Sequence, residues 1–195
     1  DGQNGADGVD GQDGENGAGF DELAKYGYIT LEMEGTRADN VAFQDSTSFK
    51  FTAVADPQDN QVTSSLVGED LVYSFNIRRF LSSPDDIFQE TTMSIYLEIA
   101  NPGEVSESLV IFSYDIFDYT VIGDDNKYFE LYSNGNNFDP NITNLEISDV
   151  AYDTETNHLT FSYTFTVDAL ANNTGNDLNM SGTVDVIMLE PVVGL

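Results

Sequence analysis

Hydrophobic and polar residues alternate along most of the chain after residue 26, and this period of two predicts β-strands. The clearest run is His158–Val167, in which apolar side chains face one way and His158, Thr and Ser side chains face the other. Leu109–Tyr114 is apolar on both faces, which is typical of a central strand. Further strands are predicted, in chain order, at 29–33, 49–53, 71–77, 93–99, 128–132, 145–152 and 183–190.

Helical signals are confined to two short stretches. Residues 20–26 can form one helical turn, and Ser83-Pro84-Asp85-Asp86 combines a serine N-cap, a proline at the first helical position and acids in the first turn. Turn residues separate the strands, as in Asn101-Pro102-Gly103 and in the hairpin turn at 153–157. About eight to ten short strands without alternating helices predict one antiparallel β-sandwich, Ig-like or jelly-roll-like, over residues 20–195.

Residues 1–19 have a different composition, which predicts a collagen-like spacer. Their glycines recur at every third position, as three chains wound around one axis require. The triplets contain no proline, and their five acidic residues would repel one another across three chains. This favours a flexible, extended spacer. A trimer held together by a longer Gly-x-y segment stays open, so the sequence decides neither monomer nor trimer.

The charge is strongly unbalanced, with 35 acidic residues against 6 basic residues and a net charge of −29. Such a field repels phosphate, so neither nucleic acid nor an anionic membrane surface is an expected partner. The chain has no cysteine, which excludes disulfides and thiolate chemistry within it. No apolar run approaches the roughly 20 residues that span a bilayer, so we expect no transmembrane segment.

The sequence carries no signature of a catalytic centre. His158 is the only histidine, and it falls on the polar face of a predicted strand. No nucleophile-elbow pattern accompanies it, and a site with three histidines is impossible. Paired carboxylates leave a hydrolase as one alternative, but so many acids produce such pairs by chance. We therefore predict that the protein is not an enzyme.

The acidic turns are candidate calcium sites. Asp124, Asp125 and Asn126 place three oxygen-bearing side chains in one turn, and oxygen is the ligand that calcium prefers. Asp56 with Asp59 and Asn60, and Asp139 with Asn141, form similar groups around prolines. Asp and Asn are also favoured in turns because their side chains bond to nearby backbone. The turn interpretation is favoured for each loop alone, and calcium is the one cofactor candidate.

Aromatic side chains near the same turn are candidate ligand contacts. Tyr128, Tyr132 and Phe138 lie within a segment rich in turn residues. Exposed rings grouped on one sheet face or loop end would suit a carbohydrate-binding module. A surface or glycan ligand is therefore the partner class to test against the structure.

An acidic, proline-poor Gly-x-y segment, Gly2 to Gly19, followed by an all-β domain resembles secreted and surface lipoproteins of Bacteroidota. The resemblance implies a signal peptide and a lipidated cysteine upstream of Asp1, and an address at the outer cell envelope. Asp45-Ser46-Thr47 also fits the O-glycosylation acceptor pattern of that group. No functional residue follows from the resemblance. We expect a secreted or envelope-anchored, non-catalytic module for binding or adhesion.

Overall fold

The computed structural model describes residues 23–52, 57–83 and 90–192. Over these residues the chain forms ten β-strands and one 3-10 turn at Pro57–Asp59. The strands are β1 Gly27–Thr36, β2 Ala42–Phe49, β3 Asn60–Val67, β4 Asp70–Phe80, β5 Thr92–Ala100, β6 Ser108–Ile122, β7 Tyr128–Asn136, β8 Ile142–Asp153, β9 His158–Val167 and β10 Leu178–Ile187. Within the same ranges, no helix is both long enough and apolar enough to cross a membrane.

The strands form two antiparallel sheets of five strands each, which confirms the predicted antiparallel β-sandwich. The first sheet has the order β2-β1-β10-β9-β8, and the second has the order β3-β4-β5-β6-β7. Every neighbouring pair is consecutive in the chain except β1 and β10. Immunoglobulin and jelly-roll domains instead contain Greek-key connections. The predicted Ig-like or jelly-roll-like subtype is therefore corrected to a meander whose first and last strands pair.

The alternation that predicts the strands is also the alternation of burial in the structure. In β9, Leu159, Phe161, Tyr163, Phe165 and Val167 are all buried. Side chains two residues apart in a strand point to the same face, so these five line the space between the sheets. β6 lies between β5 and β7, as expected for an interior strand.

The structure differs from the sequence prediction most in β2 and β3. β2 begins at Ala42 and ends at Phe49, whereas a strand at 49–53 was expected. β3 was not predicted, because only Asn60 and Val62 in it are buried and its remaining residues are largely exposed. β10 begins at Leu178, five residues before the predicted start at 183. These segments are rich in Ser, Thr, Asn and Gln, and pairing with a neighbouring strand decides their conformation.

Several expectations fall wholly or partly outside the described residues. The spacer at 1–19 and the helix start after Ser83 lie there, as does Asp56. In the predicted turn at 20–26, Leu23 and Ala24 are helical and the next two residues form a turn.

The two sheets pack with their strands crossing. Near the start of β4, the Tyr73 ring lies 5.1 Å from the ring of Tyr152 at the end of β8. Near the end of β4, Arg79 donates a hydrogen bond to Gly27 O at the beginning of β1. β7 crosses the opposite side of the first sheet, with Phe129 against Phe43 of β2 at 5.2 Å. This arrangement is that of an orthogonal sandwich. Its interior is filled by apolar side chains from both sheets, among them the Tyr114 ring, which lies 4.4 Å from that of Phe165.

A buried arginine joins the sheets at one end of the sandwich. Arg79 is fully buried and donates hydrogen bonds to Tyr26 O at 2.7 Å, Gly27 O at 3.1 Å and Asn60 Oδ1 at 2.8 Å. The Asn60 amide in turn donates to Ile187 O at 2.9 Å. Burial lowers the pKa of Arg79 to about 10. Neutral oxygens thus hold this charge in place: the backbone oxygens of Tyr26 and Gly27 at the start of β1, and the side-chain oxygen of Asn60 in β3.

Candidate functional site

The predicted ligand contacts Tyr128 and Tyr132 lie on the outer face of the hairpin formed by β6 and β7. Tyr128 is 69% exposed and Tyr132 is 46% exposed. Tyr128 lies opposite Ile122 in the antiparallel register, and Ile122 is 72% exposed. Residues paired in this way have neighbouring side chains on one face of the sheet. An aromatic and an aliphatic side chain thus form an open pair next to the β6–β7 turn.

A β-bulge places a further aromatic ring beside Tyr132. The β6–β7 register shifts between Ile116 and Tyr119, and Asp118 has a left-handed φ of 54°. The bulge leaves Phe117 on the outer face, where its ring packs edge-on against Tyr132 with centroids 5.4 Å apart. The Tyr132 hydroxyl donates to the Asp118 carboxylate, and this bond raises the pKa of Tyr132. The ring pair is therefore fixed by packing and by a hydrogen bond.

Phe117, Ile122, Tyr128 and Tyr132 are referred to below as the aromatic strip. Thr120 and Glu130 are paired between its two halves. The third predicted aromatic, Phe138, does not belong to it. Phe138 lies in the turn after β7, and that strand spans roughly 25 Å from Tyr128 to its other end. The structure thus brings together two of the three predicted aromatic residues and adds Phe117 and Ile122.

The predicted calcium ligands lie in the β6–β7 turn, where Arg37 binds one of them. Arg37 comes from the turn between β1 and β2 and is 6% exposed. Its Nη1 lies 2.8 Å from Asp125 Oδ1 and its Nη2 lies 2.6 Å from Asp125 Oδ2. It also donates to Asp39 at 3.0 and 2.9 Å, and Lys127 Nζ lies 2.9 Å from Asp39 Oδ2. We call these four residues the Arg37 clamp.

Gly123 gives the clamp the space that it occupies. A Cβ atom at this position would lie 2.5 Å from Arg37 Nη1 and 2.8 Å from Asp125 Oδ1. Any larger residue would displace the guanidinium from the carboxylate. The turn itself is closed by backbone bonds, with Gly123 N donating to Lys127 O at 2.8 Å and Asn126 in a left-handed conformation.

The clamp shifts the ionisation of its members. The hydrogen bonds from Arg37 lower the pKa of Asp125 to about 2 and hold the pKa of Asp39 well below its usual range. The bonds to Asp125 and Asp39 raise the pKa of Arg37, and the contact with Asp39 raises that of Lys127. Two cations therefore balance two carboxylates across the two turns.

This arrangement bears on the calcium prediction at Asp124, Asp125 and Asn126. Both carboxylate oxygens of Asp125 accept hydrogen bonds from Arg37, so a metal ion would have to displace a guanidinium. Asp124 has an exposed carboxylate with no such partner. Among the described residues, no group of three or more His, Cys, Asp or Glu side chains could hold a metal ion. Experiment must decide whether calcium binds at this turn.

The other two acidic loops show ion-pair and turn contacts. Asp59 Oδ2 lies 3.2 Å from Arg78 Nη1, and Asn60 is buried against Arg79. Asp139 Oδ1 accepts from both the backbone N and the side-chain amide of Asn141, each at 2.9 Å. These are the backbone-directed contacts that favour Asp and Asn in turns.

A cleft separates the β1–β2 turn from the β6–β7 turn, next to the clamp. Its volume is about 620 Å³. Its apolar lining includes Val41, Phe43, Val121 and Ile122, of which Val41 and Ile122 are exposed. Its polar lining comes from Glu34, Arg37, Gln44, Asp124 and Asp125. Ile122 belongs to both the cleft and the aromatic strip, so the two features form one surface.

His158 lies on the outer face of the first sheet, where the strand pattern places it. Its Nε2 lies 2.7 Å from Asp185 Oδ1, and both side chains are about half exposed. Thr160 follows on the same face, opposite Asp185 in the register. The pair is an exposed contact between neighbouring strands β9 and β10.

Arg37, Phe117 and Ile122 are among the site residues that sequence reasoning missed. Arg37 meets Asp125 across 88 residues, and no local pattern indicates so distant a pair. Phe117 does carry a signal. Ile116 and Phe117 are adjacent apolar residues after which the alternation shifts by one, as a bulge requires.

Known proteins add no functional residue to this surface. Comparison of the chain with protein-family models, with curated proteins and with solved structures gives no significant match. A role for the aromatic strip and the cleft therefore rests on their geometry and their charge.

Proposed function

We propose that this domain is a non-catalytic binding module that docks its partner through the aromatic strip. One observation supports the proposal above all: four large side chains, each at least 40% exposed, project from one hairpin face. Large exposed apolar side chains grouped on one face mark interaction sites on soluble domains. Phe and Tyr are also enriched in protein interfaces.

The geometry of the strip suits recognition because it is preorganised. Its residues lie on paired strands, and Tyr132 is held by Phe117 on one side and by Asp118 on the other. A partner therefore meets side chains that lose little conformational freedom on binding.

The ionisation of the acidic side chains supports a non-catalytic role. A hydrolase with paired carboxylates, the catalytic alternative that the sequence leaves open, needs one carboxyl whose pKa is raised so that it can act as the acid. The described carboxyl groups with a resolved shift are Asp39, Asp125 and Asp153, and the shift of each is downward. Ion pairs and turn hydrogen bonds account for all three.

The proposed address is the outer cell envelope. The Gly-x-y segment would act as a spacer from a lipid anchor upstream, and the net charge of −29 would keep the domain soluble at the surface. Ser46, the central residue of the Asp45-Ser46-Thr47 pattern, is exposed on β2 and is thus accessible to a glycosylating enzyme.

A carbohydrate is the second candidate ligand. Tyr128, Tyr132 and Phe117 offer ring surfaces on one sheet face, and Glu130 lies between them as a hydrogen-bond acceptor. Rings beside polar groups are a common arrangement in pockets and grooves that bind small ligands. This candidate differs from a protein ligand in its prediction of binding to isolated oligosaccharides.

The proposal is tested on an array that carries both glycans and extracellular proteins. Tyr132→Ser and Tyr128→Ser are compared with Tyr28→Ser, which removes an exposed tyrosine from the outer face of the other sheet. We expect the strip variants to lose about tenfold or more in binding to wild-type ligands, as interface aromatics do, and Tyr28→Ser to retain it. Unchanged binding by both strip variants would contradict the proposal. Hits confined to glycans would select the carbohydrate alternative.

A further inference from the structure

The cleft beside the Arg37 clamp is lined by two carboxylates that no other residue in the described part of the chain neutralises. Glu34 from β1 and Asp124 from the β6–β7 turn are both exposed and line it. Neither side-chain carboxylate makes a hydrogen bond or an ion pair with another residue in the described ranges. The third carboxylate, Asp125, is bound by Arg37. The rim therefore has a local charge that a ligand cation would balance.

The walls of the cleft are apolar. Val41, Phe43, Val121 and Ile122 line it, and the side chains of Val41 and Ile122 are exposed. A bare metal ion gains nothing from such walls, and an anion would be repelled by the rim. A ligand with an apolar stem and a cationic end would satisfy both parts of the lining.

We propose that the cleft binds an arginine or lysine side chain of a partner polypeptide. This inference rests on the proposed function, because it names the partner class for the surface that the aromatic strip continues. The aliphatic stem of the side chain would pack against Val41 and Ile122, and its charged end would meet Glu34 and Asp124. The flanking residues of the partner would then lie over the Ile122–Tyr128 pair.

The charge of the whole chain complements such a partner. A net charge of −29 attracts basic segments over a long range and raises the rate of encounter. This attraction alone would be equal over much of the surface, whereas the cleft adds shape and apolar contact at one place. The test must therefore separate local recognition from general attraction.

The experiment uses the whole chain and fluorescein-labelled nonapeptides with a central arginine and randomised neutral flanks. Each peptide set is paired with an analogue in which citrulline replaces arginine, which removes the charge and keeps the shape. Binding is measured by fluorescence anisotropy at physiological ionic strength. We expect the arginine set to bind about tenfold more tightly than the citrulline set, as loss of two partly exposed ion pairs implies. Equal binding of the two sets, or binding of neither, overturns the inference.

Two double variants separate the cleft from the overall field. Glu34→Gln with Asp124→Asn removes the rim charges, and Glu146→Gln with Glu155→Gln removes two exposed charges on β8 and the turn after it. We expect about tenfold weaker arginine-peptide binding from the first pair and less than about a twofold change from the second. Equal losses would show general attraction and overturn the inference.

A comparison with the array separates this inference from the proposed function. If arginine peptides fail while array ligands still depend on Tyr132, only the assignment of the cleft is rejected. If array binding is independent of Tyr132 as well, the proposed function is rejected too.

Discussion

Arg37 and Asp125 are 88 residues apart in the sequence, yet their side chains form a two-pronged ion pair with N···O distances of 2.8 and 2.6 Å. The pair connects the β1–β2 turn to the β6–β7 turn. It thereby joins the two turns that line the cleft, one of which closes the hairpin that carries the aromatic strip. The Arg37–Asp125 contact thus ties the first sheet to the hairpin that carries the proposed binding surface.

Replacing Arg37 should destabilise the domain more than replacing Lys127. Arg37→Gln removes four hydrogen bonds from a buried guanidinium and leaves Asp39 and Asp125 facing each other without it. Lys127→Ala removes an ammonium that is 63% exposed, where ion pairs contribute little. We expect a fall of several degrees in Tm for Arg37→Gln and a small change for Lys127→Ala, measured by circular dichroism. Equal falls would refute a central role for the clamp.

The clamp should also make stability depend on pH in the acid range. The folded-state pKa values of Asp39 and Asp125 are depressed, that of Asp125 to about 2, while an unfolded Asp titrates near about 3.9. Their contribution is therefore fully present above about pH 4 and is lost as the pH falls toward about 2. We expect the Tm difference between wild type and Arg37→Gln to shrink over this interval. A difference that stays constant down to about pH 2 would show that the carboxylates are not coupled to Arg37.

Arg79 should be among the most sensitive positions in the core. Arg79→Met removes a buried charge and leaves Gly27 O and Asn60 Oδ1 without this donor, whereas Tyr26 O keeps its hydrogen bond from Ile187 N. Unsatisfied buried acceptors each cost about 1 kcal/mol or more, so we expect a loss of about 2 kcal/mol in the free energy of unfolding. Urea titration measures it. Arg78→Met, at a partly exposed neighbour, is the control and should cost less than about 1 kcal/mol. A loss below that value for Arg79→Met would contradict the assigned role.

Calcium should change the Tm of the wild-type protein by less than about one degree. An ion raises the Tm only if it binds the folded protein, and the carboxylate of Asp125 is already bound by Arg37. Thermal unfolding in millimolar calcium, in magnesium and in EDTA tests this. A calcium-specific rise of several degrees that Asp124→Asn removes would instead establish a cation site at the turn.

The sequence predicts the strands that bury one apolar face and misses those that do not. β9 alternates over its whole length, and its position follows from its residues alone. β2 is held differently: Asp45 lies on its inward side and accepts a hydrogen bond from the Tyr119 hydroxyl at 2.7 Å. Such a strand depends on a partner far away in the chain, so local periodicity cannot show it.

The sequence shows only some of the residues that form the candidate site. Tyr128, Tyr132 and the acidic turn were identified from composition, since exposed rings and Asp/Asn turns are local features. Arg37 and Ile122 join them only through tertiary contacts, and Phe138 is separated from them by the length of β7. Distances across the sandwich decide which of these residues act together.

Mapping the ligand footprint by two-dimensional NMR tests the central claim most directly. The isotope-labelled domain is titrated with the strongest array ligand, and backbone amide shifts are followed residue by residue. A binding module that uses the aromatic strip predicts the largest changes at Phe117, Ile122, Tyr128 and Tyr132, with none at Tyr28 on the other sheet. Changes centred on the outer face of the first sheet, with the strip unaffected, would contradict it.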